Sequence, residues 1–459
     1  MRTRPRIHFP CACVVTVLLA INLNAQTSDG GSKAFEAWAR SSARPIATTE
    51  PGADLRDLEP IREVVGVARV VGVGESDHGI HEFLNLRQRI VEFLVQRMGF
   101  TAVALESGLP ESKIVYDYVE GGAEPPHLWD DGFTWQMSMF SDNRTLIEWM
   151  RAYNQDPAHK RKIHFYGMDI PGAKGTWLPA LGQVLTYLDK VEPKFAREMR
   201  ERLLPLAVKF ARLGPTNLAF NASNDAYSEL SLSDRNAIAA GINELSDRFG
   251  LLRVAYLAAS TPEEYDWARQ IALNLRYANT LVTDYEARNR ENAIWNARDM
   301  AMAENVRWIE GREGPGGGVV VLAHNGHVQT ITSIAVDPKQ AVMGEFLRSL
   351  LGDDYRNIGF TFNQGAQWDG SGYDLHPSPL ALADADSIDG VLAKVALPIF
   401  FVNLRALPHQ SPASEWLEKP RKQRFVTIYP EYDLLRSWDA LVFVDTITPS
   451  RLIKPEPTP

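Results

Sequence analysis

Two short histidine-bearing strings, each placed directly after an apolar run, constrain this chain more than anything else in it. Gly74-Glu75-Ser76-Asp77-His78-Gly79 follows Val70-Val71-Gly72-Val73, and His324-Asn325-Gly326-His327 follows Val319-Val320-Val321-Leu322-Ala323. A short apolar run bounded by glycine and polar residues reads as a buried strand. Open α/β sheets bind their ligands in the crevice at the carboxyl ends of their strands. Two acid/base clusters placed there meet in space if both strands belong to one sheet. Such a pair predicts an enzyme, with hydrolysis as the first chemistry to test.

The rest of the chain fits that sheet. Strand-like runs recur at Val70–Gly74, Thr101–Leu105, Lys162–Gly167, Gly318–Ala323, Asn357–Phe362, Pro398–Asn403 and Ala440–Asp445. Helical stretches separate the early ones. His81–Met98 is apolar at Phe83, Leu84, Leu86, Ile90, Phe93, Leu94 and Val95, which is a helix period, and Gly99 stops it. This alternation predicts an α/β fold: a three-layer α/β/α core with a mostly parallel sheet and a helical insertion domain. The insertion follows from residues 171–310, where the pattern is helical throughout, with candidates at Arg197–Leu213, Ser233–Phe249, Thr261–Leu281 and Asn289–Ile309. Thr261-Pro262-Glu263-Glu264 is a helix start: threonine as N-cap, proline first, glutamate third. The expected division is a signal peptide over residues 1–25, the α/β core over 34–170 and 311–450, and the helical insertion over 171–310.

Composition narrows the partners. A formal net charge of -9, with no basic run, excludes nucleic acid or an anionic membrane as the main partner. At the N-terminus, Arg2, Arg4 and Arg6 precede an apolar stretch from Cys11 to Leu23, then Asn24-Ala25-Gln26. That order is a secretory signal peptide, its apolar stretch too short to span a membrane. The expectation is a periplasmic or secreted protein with no stable membrane association after cleavage. Both cysteines, Cys11 and Cys13, lie in this segment, so the mature chain has no disulfide, thiolate metal site or cysteine nucleophile.

The ionisable residues gather at strand ends. Glu75 and His78 follow the first strand, Glu106 the second, Asp169 the third, and His324 and His327 the fourth. Charges placed near a buried sheet are costly unless paired. Arg87, on the helix after His78, supplies a positive group for Glu75, Glu106 or an oxyanion. No Gly-x-Ser-x-Gly occurs, and the string around Ser76 lacks the second glycine of a nucleophile elbow. Water is therefore the expected nucleophile. A neutral imidazole oriented by a carboxylate is a competent base near neutral pH.

At this level the chain resembles the erythromycin esterase family. The matching pieces, in order, are Gly74-Glu75-x-x-His78-Gly79, Arg87, Phe100-x-x-x-Ala104-x-Glu106, Trp149-Met150-Arg151-x-Tyr153-Asn154, Phe165-Tyr166-Gly167-x-Asp169, Arg298-Asp299-x-x-Met302-Ala303-x-Asn305 and Ala323-His324-Asn325-Gly326-His327. The resemblance implies an α/β/α core beside a helical domain, and ester hydrolysis by activated water without a metal. In members that open macrolide lactones, the residues matching Glu75, His78, Arg87, Glu106, His324 and His327 line the site. The histidine matching His78 is the usual candidate base, and the one matching His324 has also been argued.

Other residues carry two readings. Asp169 either supports a loop or joins the chemistry. Arg298, beside Asp299 on a helix, is by default on a solvated face, and otherwise binds substrate together with His327 and Asn325. Trp135 is core or a wall for an apolar substrate. The expected substrate is a small ester or lactone, and no cofactor is called for. The alternatives are a metal-dependent hydrolase or peptidase built on the Glu/His cluster, which lacks a His-Glu-x-x-His, and a non-catalytic ligand-binding protein.

Overall fold

The structure, a computed structural model, describes residues 30–172, 174–214, 216–287, 293–331, 340–371 and 374–453. The segment read as a signal peptide, residues 1–25, and the proline-rich end after Ile453 lie outside the described residues.

Valine-rich runs that are buried on both faces build the sheet, as parallel sheets require. In chain order the strands are β1 (Arg44–Pro45), β2 (Val70–Val73), β3 (Ala102–Gly108), β4 (His164–Asp169), β5 (Val319–Leu322), β6 (Tyr355–Ser371), β7 (Asp374–Leu380), β8 (Ile399–Asn403), β9 (Arg421–Lys422), β10 (Glu431–Tyr432) and β11 (Ala440–Ile447). The main sheet has nine strands in the order β1-β8-β11-β6-β2-β5-β3-β4, with β7 paired to β6. The run from β11 to β4 is parallel throughout, and β8 joins β11 antiparallel. β9 and β10 form a separate two-stranded sheet.

Successive strand residues point to opposite faces. Val70, Ala102, Ala104, Val319 and Val321 pack into one apolar cluster with Leu181, Leu185, Met302, Val306 and Leu347. Val71, Val73, Val103, Leu105, Val320 and Leu322 pack into the other, with Phe83, Leu86, Ile90 and Met150. Helices thus cover both faces, and the architecture is the expected three-layer α/β/α. The helix His81–Met98 has the expected bounds and ends on Gly99 at φ 77°. Its Phe83, Leu86, Ile90, Phe93 and Leu94 are fully buried, each contributing about 1.5–3 kcal/mol on leaving water.

Between Ile170 and β5 the described residues form helices and no strand. Pro193–Phe210, Leu232–Leu251, Pro262–Ala287 and Ala293–Glu313 take the places of the four expected helices. Thr261 caps as read: its Oγ1 accepts the Glu264 amide at 3.1 Å, and Glu264 Oε2 accepts the Thr261 amide at 2.9 Å. Leu178–Val191, Thr216–Ser228 and Arg253–Ala259 were not anticipated. Leu178–Val191 starts without a side-chain cap, with Pro179 in its first turn as its one start signal, and Arg253–Ala259 follows its neighbour after a single residue. The strand expected at Asn357–Phe362 continues to Ser371 and pairs with β7. Its outer half alternates polar residues with Gly365 and Gly370, so no apolar run announces it. No helix among the described residues is long and apolar enough to cross a membrane.

Candidate active site

Register decides which strand ends meet. Leu322 of β5 lies opposite both Val73 of β2 and Leu105 of β3, so the second histidine string emerges between the first and Glu106. Gly108 then pairs with Asp169 of β4, which adds the third strand end. Backbone bonds lock the strings together: the Asn325 amide donates to the Glu75 carbonyl at 2.7 Å, and the His324 amide to Glu106 Oε2 at 2.8 Å. The Asn325 side chain brackets Phe360 of β6, donating to its carbonyl at 2.7 Å and accepting its amide at 3.2 Å. Gly79 makes the turn out of the first string at φ 72°, where a Cβ would stand 2.3 Å from the Phe140 ring. Gly79→Ala is therefore expected to cost about 1–3 kcal/mol of stability in a urea titration; a cost within experimental error would mean that the loop relaxes freely.

The first polar group is Glu75, His78 and Arg87. Glu75 Oε1 accepts from His78 Nδ1 at 2.7 Å and from Arg87 Nη1 at 2.7 Å. Burial alone would raise the Glu75 carboxyl, but the Arg87 charge and the His78 contact hold it down at about 2. Arg87 is 2% exposed and sits behind Glu75 rather than at the surface. The His78 side chain is 38% exposed. Burial opposes its charge, but the bond to Glu75 and the charges of Glu75, Glu106 and Asp77 prevail, raising it above its usual 6.5. With Nδ1–H given to Glu75, its Nε2 is the ring nitrogen left for solvent.

His324 differs in kind. Its Nδ1 accepts the Gly326 amide at 3.0 Å, and its Nε2 lies 3.1 Å from the Ser76 carbonyl, which can only accept. The ring is thus neutral, with hydrogen on Nε2 and its lone pair engaged. Burial and the neighbouring His78, 5.3 Å away ring to ring, push it down to about 4.

The second polar group is a charge cage around Arg298. Asp169 Oδ2 accepts from Arg298 Nη2 at 2.6 Å and from Trp135 Nε1 at 2.7 Å, and Glu106 Oε1 accepts from Arg298 Nη2 at 2.9 Å. His327 Nδ1 donates to Asp299 Oδ1 at 2.7 Å, and its Nε2 lies 3.2 Å from both Glu106 Oε1 and Arg298 Nη1. The carboxylate takes the Nε2 hydrogen, because Glu106, Asp169 and Asp299 outnumber Arg298 as charges. The Arg298 contact is then a juxtaposition of two cations and not a hydrogen bond. Burial opposes the His327 charge, but Asp299 and Glu106 raise it to about 10. Burial likewise opposes the charge on Glu106, yet His327 and Arg298 hold it well below the usual carboxylate range. Arg298 lies 4.8 Å from the Trp135 ring centre, a cation-π contact.

The structure thus gathers every residue read from the sequence, in differing positions. Arg298 is not on a solvated face: it is 5% exposed, because three carboxylates compensate its charge. Asp169, fully buried, acts through Arg298 and Trp135. Asn325, 5% exposed, has its amide spent on β6. Trp135 is half-buried and its ring meets Phe220 at 5.2 Å. Two neighbours went unassigned: Asp299, whose only signal was adjacency to Arg298, and Phe425, whose ring stands edge-on 4.8 Å from His324. Among the described residues no three of His, Cys, Asp and Glu are grouped to hold a metal ion.

The erythromycin esterase family model matches residues 95–447. Erythromycin esterase type II of Escherichia coli is 25% identical over 437 residues, spanning 91% of this chain and 99% of that protein. A crystal structure of a Bacillus cereus protein superposes with a TM-score of 0.79 at 24% identity, covering 92% of this chain and 99% of the other. An erythromycin esterase mutant in its open conformation superposes at 0.73 and 19% identity, over 90% and 100% of the two chains. The chain belongs to the erythromycin esterase family and is a hydrolase of ester bonds.

Proposed function

We propose that the protein is an exported hydrolase that opens a small ester or lactone with water activated by His78. One observation carries this reading: His78 is held on Nδ1 by Glu75, keeps Nε2 toward solvent, and stands beside a histidine whose own lone pair is engaged. Neutral His78 takes a proton from water as its oxygen attacks the ester carbonyl. Within the cage, whose carboxylates outnumber its cations, His327 is the positive group nearer the surface, its side chain 15% exposed, and is assigned to the charge that develops on the carbonyl oxygen. As the carbon–oxygen bond breaks, the His78 imidazolium returns its proton to the leaving alcohol. Arg87 fixes the Glu75 carboxylate and so the ring it orients. The basic-then-apolar order of residues 1–25 supports export.

Two of these relatives are named erythromycin esterases, and a macrolide lactone is one member of the class proposed. The test is a screen of the protein lacking residues 1–25 against simple esters, lactones including macrolides, and peptides, with and without chelator. Ester or lactone turnover that survives chelation is expected. Turnover of peptides only, or turnover lost to chelator, would move the assignment to the metal-dependent class.

A further inference from the structure

Beside the polar floor of the site stands a short apolar turn that the reaction described above does not use. Phe425 and Ile428 close it by exchanging backbone bonds, amide to carbonyl at 2.8 Å and back at 3.0 Å. Val426, between them, has φ 55°. A β-branched residue in the left-handed region is strained, and such strain persists only where the surroundings enforce it. Here the base of the turn does so. Arg424 is buried; its amide donates to Asp389 Oδ2 at 2.7 Å, and its Nη1 to the Asn363 and Ala381 carbonyls at 2.6 and 3.0 Å. Its guanidinium also lies 4.3 Å from the Phe362 ring centre. The far side of the turn is exposed by contrast: Ile428, its closing residue, is 60% exposed. A rigid base thus holds the Phe425 ring against His324 and carries an exposed isoleucine at the closing position of the same turn. Exposing an isoleucine forfeits the stabilisation its burial would bring, and this one belongs to the same turn as the ring that touches His324.

We propose that the Phe425–Ile428 turn is the specificity element of this enzyme, binding an apolar group that flanks the ester carbonyl. The Trp135–Phe220 pair forms a second aromatic surface beside the charge cage, so the polar floor lies between two apolar walls. The substrate class this selects is an ester or lactone with an aliphatic segment on its acyl or alcohol side, in preference to a small polar ester. The inference rests on the ester-hydrolase reading of the same site.

The experiment compares kcat/KM for p-nitrophenyl hexanoate and p-nitrophenyl acetate, and in a second arm for hexyl and ethyl acetate, in wild type, Phe425→Ala, Phe425→Leu and Ile428→Asn. The long-to-short ratio in at least one arm is expected to fall about tenfold in Phe425→Ala and to stay within about twofold of wild type in Phe425→Leu. Ile428→Asn, at an exposed position that packs no core, is expected to lower the same ratio through KM. The arm that responds identifies the side of the ester that meets the turn. An equal loss for long and short substrates would make Phe425 a prop for His324 only and overturn the proposal. So would unchanged ratios in both arms. Wild type that hydrolyses no ester at all would overturn the function reading as well.

Discussion

His78→Ala is expected to lower kcat by about 10²–10⁴-fold, the contribution of a positioned general base. The fold should survive, because the ring is 38% exposed and outside both apolar clusters. Far-UV circular dichroism and an unchanged melting transition check this. His324→Ala acts through a different route. It removes the acceptor of the Gly326 amide and the tie to the Ser76 carbonyl, so it loosens the loop that carries His78. Its loss is one of position, and the pH at which activity appears should stay where wild type has it. Full turnover by a folded His78→Ala enzyme would remove His78 from the chemistry.

Arg298→Met is expected to destabilise the protein by about 3–5 kcal/mol, the cost of breaking a buried ion pair by removing one partner. The substitution keeps much of the apolar stem but leaves Glu106, Asp169 and Asp299 facing His327 alone. Arg298→Lys should recover part of the loss, since one ammonium cannot reproduce the fork that joins Asp169 to Glu106. Denaturant unfolding of the three proteins measures this. A cost below about 1 kcal/mol would show that the cage behaves like a surface ion pair. His327 adds a pH dependence of known sign. Its folded value of about 10 lies above the ordinary 6.5, so the stability it contributes is complete below 6.5 and is lost as the pH rises through 10.

The fold was legible where physics acts locally. Val70–Val73 and Val319–Leu322 are unmistakable as buried strands, and His81–Met98 carries both a period and a glycine stop. The order of the strands was not legible. Nothing local says that β5 inserts between β2 and β3, and that insertion places His324 and His327 between Glu75 and Glu106. The same limit hid the cage. Arg298 and Asp299 are adjacent charges on a helix, for which a solvated face is the default reading, and their burial follows from which strand ends the helix crosses. Phe425 was invisible because a four-residue turn is too short to carry a period. The roles of the two histidine strings also separated only in three dimensions. The distinction between His78 and His324 as base rests on the Gly326 amide and the Ser76 carbonyl, two backbone groups that no side-chain pattern reports.

The pH dependence of kcat/KM for the wild-type enzyme on a simple ester tests the central claim most directly, because it reports the free enzyme's essential base. With His78 as that base, activity rises through an apparent pKa above 6.5, since Glu75, Glu106 and Asp77 favour its protonated form. It then falls near 10 as His327 loses its charge. An acid limb centred near 4, where His324 titrates, would contradict the account and transfer the base to the second histidine string.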